Sequence, residues 1–77
     1  MMQRKQRHQE ILAFLYNEHA DIEPIKTRRI ADAIGISVYS ARYYLLQLQN
    51  QQCVRQEHVS RGSSARWTLL TDNMEFD

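Results

Sequence analysis

The chain has 77 residues, enough for one domain, and a chain this short buries only about 60% of the surface its unfolded form exposes. At 43% hydrophobic and 25% charged, its composition is that of a globular protein and excludes bulk disorder. The net charge of +1 excludes a polycation, but the charge is unevenly spread. Residues 26–66 carry seven basic and two acidic side chains and net +5, while residues 1–25 net −1 and residues 67–77 net −3. The positive field therefore sits on the middle of the chain.

The single cysteine, Cys53, cannot close an internal disulfide, which fits a reducing compartment. The charged lead "MMQRKQRHQE" is followed by only six apolar residues, "ILAFLY". That is too short to span a membrane, and no small-residue cleavage site follows. A cytoplasmic protein with no membrane partner is expected.

Residues 3–18 read as the first helix, with Ile11, Phe14, Leu15 and Leu12 at helical spacing and no Gly or Pro inside. "HADIEP" ends it, because Pro24 disfavours helix at the residue before it. Ile25 and Lys26 suit a very short strand. Thr27 is the expected N-cap of a second helix, 28–34, with Ile30, Ala31 and Ile34 inward. Gly35 suits the left-handed residue that closes it, and Ile36 tucks under the turn.

Ser37 is the next N-cap, and the third helix spans 38–50. Val38, Ala41, Tyr44, Leu45 and Leu48 fall on one side of it. Tyr39, Ser40, Tyr43, Leu46, Gln47 and Asn50 fall opposite, with Arg42 and Gln49 on a flank. "CVRQE" and "ARWTLL" read as two strands joined by a turn at Gly62, and "TDNMEFD" as an acidic tail, 71–77. Trp67 alternates with Ala65 and Leu69 as a packing residue, and Cys53 reads as a small core residue.

The order helix, short strand, helix, helix, strand, basic loop, strand predicts a mainly α winged helix-turn-helix over 1–70: three helices plus a two- or three-stranded antiparallel wing. Residues 38–50 contain no acidic side chain, as a surface meeting phosphates requires. Ser37 and Ser40 can donate to phosphate, Gln47 can pair with an adenine edge, and Tyr39, Tyr43 and Leu46 can pack on sugars or thymine methyls. Arg42 flanks that face. Arg28 and Arg29 lie in the first turn of the bracing helix, where backbone N–H groups also favour phosphate. Arg61, Ser63, Ser64 and Arg66 sit at or near the wing tip.

Against this stands a second reading, in which Tyr43 and Leu46 form a protein-contact patch. Lys26 and Arg55 read as ordinary solvated charges. Arg4, Lys5 and Arg7 read as the solvated start of the first helix, or else as an arm touching phosphate. His8, His19 and His58 lack metal-ligand spacing, and no catalytic set or phosphate loop stands out. No metal, no cofactor and no enzymatic activity are expected.

At "TRRIADAIGISVYSARYYLLQLQ" and "RGSSARWTLL" the sequence resembles the PapI/FaeA family of small fimbrial operon regulators of enteric bacteria. The resemblance covers roughly residues 8–70, and its most specific pieces are "ARYYLL", the "RG" of the wing and the Trp67 strand. It implies a winged helix without a ligand-sensing domain, acting on double-stranded DNA in phase variation. It also implies cooperation with the leucine-responsive regulatory protein at sites containing GATC. The family's recognition helix falls on Ser37–Asn50 and its wing on His58–Arg66, with Arg42, Tyr43 and Arg61 the strongest matches. The glycine often found after the recognition helix is missing from "NQQCV", where Asn50 is expected in the left-handed position.

A module of this kind buries about 600–1,000 Å² of protein surface on DNA. Neutralising about five phosphates gives a salt slope of only about −4 to −5. With no dimerisation helix in view, the chain is expected to be a monomer in isolation and to need a partner already on the DNA.

Overall fold

The computed structural model describes residues 3–57 and 65–71. Three helices, α1 (Gln3–Asn17), α2 (Thr27–Ile34) and α3 (Val38–Asn50), pack on a sheet of β1 (Ile25–Lys26), β2 (Val54–Glu57) and β3 (Arg66–Leu69). The sheet is antiparallel, in the order β1-β3-β2. This is the winged helix-turn-helix arrangement that the pattern of elements predicts. The turn at Gly62, with Arg61, Ser63 and Ser64, lies outside the described residues, as do the side chains of Arg4 and Lys5 and the tail beyond Thr71.

Trp67 lies at the centre of the middle strand and is fully buried. Its register partners Ile25 and Gln56 share its face, so the sheet turns this row toward the helices. Ile11 and Leu15 of α1, Ile30 and Ala31 of α2, and Ala41, Leu45 and Leu48 of α3 close the core over it. Phe14, Ile34, Ile36, Tyr44 and Cys53 are only partly buried at its rim. Val38, placed inward by periodicity, is 44% exposed. It is the first residue of its helix, and side chains lean toward the N-terminus, past the end of the packed stripe.

Thr27 does not cap α2. Its hydroxyl accepts a 2.7 Å hydrogen bond from Trp67 Nε1 and lies 3.2 Å from the Ala65 carbonyl, to which it donates. The helix begins at Thr27 itself, and Lys26 occupies the cap position without a side-chain bond. The hydroxyl is buried beside the indole, so it cannot also turn back to the helix. Ser37 does cap α3, its Oγ accepting from Ser40 N–H at 3.0 Å.

Each helix closes on a left-handed residue: His19 (φ 58), Gly35 (φ 85) and Gln52 (φ 64). After α1, His19 N–H donates to Tyr16 C=O and Ala20 N–H to Leu15 C=O. After α3, Gln52 N–H donates to Gln49 C=O and Cys53 N–H to Leu48 C=O. Both are the paired closure of a Schellman turn. So α1 stops at Asn17 because His19 turns the chain, well before Pro24. The left-handed residue after α3 is Gln52, not Asn50, because the closure needs the third position after Gln49.

Two outcomes follow for urea unfolding followed by circular dichroism. Thr27→Val leaves a buried indole N–H without an acceptor and lowers stability by about 1–3 kcal/mol, whereas Thr27→Ser retains most of it. Gln52→Gly removes the left-handed strain and raises stability by about 0.5–1 kcal/mol.

Candidate nucleic-acid interface

The first half of α3 carries two exposed aromatic side chains, Tyr39 at 87% and Tyr43 at 60%. Arg42 is exposed between them. The Ser37 cap and its bond to Ser40 N–H fix the start of this helix, and Ser37 Oγ also donates to Ser40 Oγ at 3.1 Å. The capping bond thus builds the helix end that presents Tyr39, Ser40, Arg42 and Tyr43 together. Gly35 and Ile36 N–H groups both donate to Ala31 C=O, setting the tight turn between α2 and α3.

The second half of α3 packs partly into the protein, with Leu45 and Leu48 buried, Leu46, Gln47 and Gln49 half-buried and Asn50 exposed. Leu46, expected to face outward, is half-buried against the core, and with Ile34 and Tyr44 it fills the rim. Gln47, also expected outward, is half-buried, and its Oε1 lies 2.7 Å from His8 Nε2. Gln49 Oε1 accepts from Gln56 N–H at 2.9 Å, tying α3 to an edge strand.

Ion pairing sorts the basic residues. Arg7 pairs with Glu10 at 2.9 Å, Arg29 with Glu18 at 2.9 Å, and Arg55 with Glu57 at 3.1 Å. Arg29 also lies over the Phe14 ring, 5.9 Å from its centroid. The guanidinium expected to meet phosphate thus also has partners at the end of α1, on a side chain that is 58% exposed. Among the described residues Lys26, Arg28, Arg42 and Arg66 make no ion pair.

Lys26 and Arg66 stand directly opposite each other on β1 and β3. Like charges so placed repel, and Lys26, Arg29 and Arg66 line one groove with Glu18 and Glu23. Glu57, opposite Arg66 on the other side, is already engaged. The Thr68 hydroxyl and then Arg55 hold its carboxyl below the usual carboxylate range. This small stabilisation is present at neutral pH and fades as pH falls through that range. No group of three His, Cys, Asp or Glu among the described residues could hold a metal ion. No helix among them is long and apolar enough to cross a membrane.

The model of the FaeA-like protein family matches residues 7–71. The chain belongs to this family. This FaeA-like chain is 38% identical over 60 residues to the major pilus subunit operon regulatory protein of Escherichia coli, covering 78% of the chain and 73% of that protein. It is 31% identical over 64 residues to the F1845 fimbrial adhesin operon regulatory protein of Escherichia coli, covering 83% and 81%. A third relative, the P fimbrial regulatory protein KS71A of Escherichia coli, is 38% identical over 60 residues. These relatives are named as regulatory proteins of fimbrial or pilus systems.

Sequence reasoning missed His8 and Lys26. Only the fold brings His8 to Gln47, 39 residues away, and only strand register sets Lys26 beside Arg66. Because Ser37 closes the first turn of α3, Ser37→Ala should lower stability by about 0.5–2 kcal/mol in a thermal melt. It should also broaden the amide signals of Tyr39 and Ser40 in an NMR spectrum.

Proposed function

We propose that this FaeA-like protein is a transcriptional regulator of a fimbrial operon that docks the first half of α3 in a groove of double-stranded DNA. The observation that carries the reading is the surface of α3. It offers Tyr39, Arg42 and Tyr43 to solvent, and its thirteen residues include no carboxylate to repel phosphate. Ser37 and Ser40 supply neutral donors, and Arg28, Lys26 and Arg66 supply unpaired charge for the flanking backbone. Arg61, Ser63 and Ser64 extend that surface as wing contacts on the sequence pattern. The named relatives support the operon class, and the resemblance to the PapI/FaeA family supplies the leucine-responsive regulatory protein as the cooperating partner. On this reading the protein works in the cytoplasm, as a monomer until it meets that partner on DNA.

A second reading has one specific observation in its favour. Tyr39 at 87% exposure is a large aromatic surface for a helix that only meets water, and it suits a protein contact. Leu46 is less suited to that role, since it packs on the core and Leu46→Glu would disturb folding first. Tyr39→Ser is the cleaner variant. Loss of partner capture without DNA favours this second reading.

For the DNA reading, fluorescence anisotropy with a labelled fimbrial promoter fragment at several salt concentrations is the test. Arg42→Ala and Arg28→Ala each weaken binding and reduce the magnitude of the salt slope by about 1, with unchanged circular dichroism. Arg29→Ala leaves the slope as it was, because its guanidinium belongs to Glu18. A wild-type slope in Arg42→Ala overturns the assignment of α3 as the reading helix.

A further inference from the structure

A polar side chain of α1 reaches the proposed reading helix. His8 Nε2 and Gln47 Oε1 are 2.7 Å apart. An amide oxygen carries no proton, so the contact is a hydrogen bond in the form of the ring that carries its hydrogen on Nε2. The edge of the same ring meets Tyr44, with centroids 5.2 Å apart at 83°. Tyr44 in turn meets Tyr43, 5.6 Å apart at 66°. His8 and Gln47 line two surface grooves, one completed by Tyr43 and Tyr44 and the other including Leu12, Leu48 and Gln51. One histidine thus engages Gln47 by hydrogen bond and Tyr44 by ring contact, and through Tyr44 it touches the exposed Tyr43.

We propose that His8 is a positioning residue that sets the base preference of α3. It turns the oxygen of Gln47 toward α1, out of the two-point geometry with the amide N–H that an adenine edge requires. The inference rests on the DNA reading given above. An unrestrained glutamine pairs with adenine at two points, its oxygen accepting from N6 and its nitrogen donating to N7. With its oxygen turned to α1, Gln47 presents its N–H donors to the base edge. Donors are satisfied by N7 or O6 of guanine and O4 of thymine as readily as by N7 of adenine. His8 thereby suppresses the adenine selectivity that Gln47 would otherwise confer.

The test is selection from a randomised double-stranded DNA library by the wild-type protein, His8→Ala, His8→Gln and the double variant His8→Ala/Gln47→Ala. His8→Ala should enrich adenine at one position by about five-fold or more, the lower end of what a two-point contact confers. The enrichment should vanish in the double variant. His8→Gln, which keeps a donor at similar reach, should retain the wild-type preference. A merely structural role would weaken every duplex alike and leave the ranking of bases unchanged, and that result overturns the proposal. A wild-type protein that selects no sequence overturns the DNA reading and this inference with it, and the wild-type arm alone reveals that case. Should His8→Ala fail to fold, nitrogen chemical shifts of the wild-type imidazole decide the matter. A ring protonated at Nε2 and coupled to the Gln47 amide supports the clamp, and a ring protonated only at Nδ1 overturns it.

Discussion

The bond from the Trp67 indole to the Thr27 hydroxyl joins the two halves of this fold. Trp67 belongs to the central strand, which leads out of the wing, and Thr27 is the first residue of the helix that braces α3. Their contact is buried and 2.7 Å long, and Thr27 adds N–H and hydroxyl bonds to Ala65 C=O. A buried indole N–H without an acceptor is costly, so the pair fixes the start of α2 against the root of the wing. The turn at Gly35 then carries that placement to α3. A polar contact inside a largely apolar core thus ties α2 to β3, while the Gln49–Gln56 bond ties α3 directly to β2.

The contact between Trp67 and Thr27 shows where sequence reasoning reaches its limit. The spans of the helices were legible because apolar spacing and caps are local: 38–50 was expected and Val38–Asn50 is found, with Ser37 capping and Gly35 left-handed. Thr27 also looked like a cap, since a threonine before an amphipathic run is one by local rules. Its hydroxyl was claimed instead by a tryptophan 40 residues away, and no window of sequence contains that competition. Gln52 was hidden for a related reason. A glycine announces a left-handed residue, but a glutamine there is imposed by the hydrogen bonds that close α3 and by the need to start β2 at Val54.

The candidate site follows the same division. The acid-free run and the exposed tyrosines could be read from spacing alone. The state of each cation could not, because an ion pair is a tertiary fact. Arg28 and Arg29 are neighbours in sequence, yet successive positions on a helix face different ways. One looks to solvent, while the other lies over Phe14 and bonds to Glu18. Gln47 was placed on the reading face by its angle, but a half-buried side chain answers to whatever packs beside it, and His8 does.

On the proposed reading, this sorting bears on how the module holds DNA. With Arg29 and Arg55 held by carboxylates, fewer charges remain for phosphates than the sequence total suggests. Neutralising about four phosphates gives a salt slope of only about −3 to −4, and a small winged helix adds little area to offset it. Affinity at cellular salt then depends on what holds the protein near its site. A partner on adjacent DNA supplies an effective concentration of order millimolar, which converts weak contacts into occupancy without any new one. Weak intrinsic grip makes occupancy conditional on the partner, and a stronger basic face would remove that condition. On the proposed reading, the carboxylates beside Arg29 and Arg55 lower the positive charge that the module brings to phosphates, and that leaves more of its occupancy to the partner.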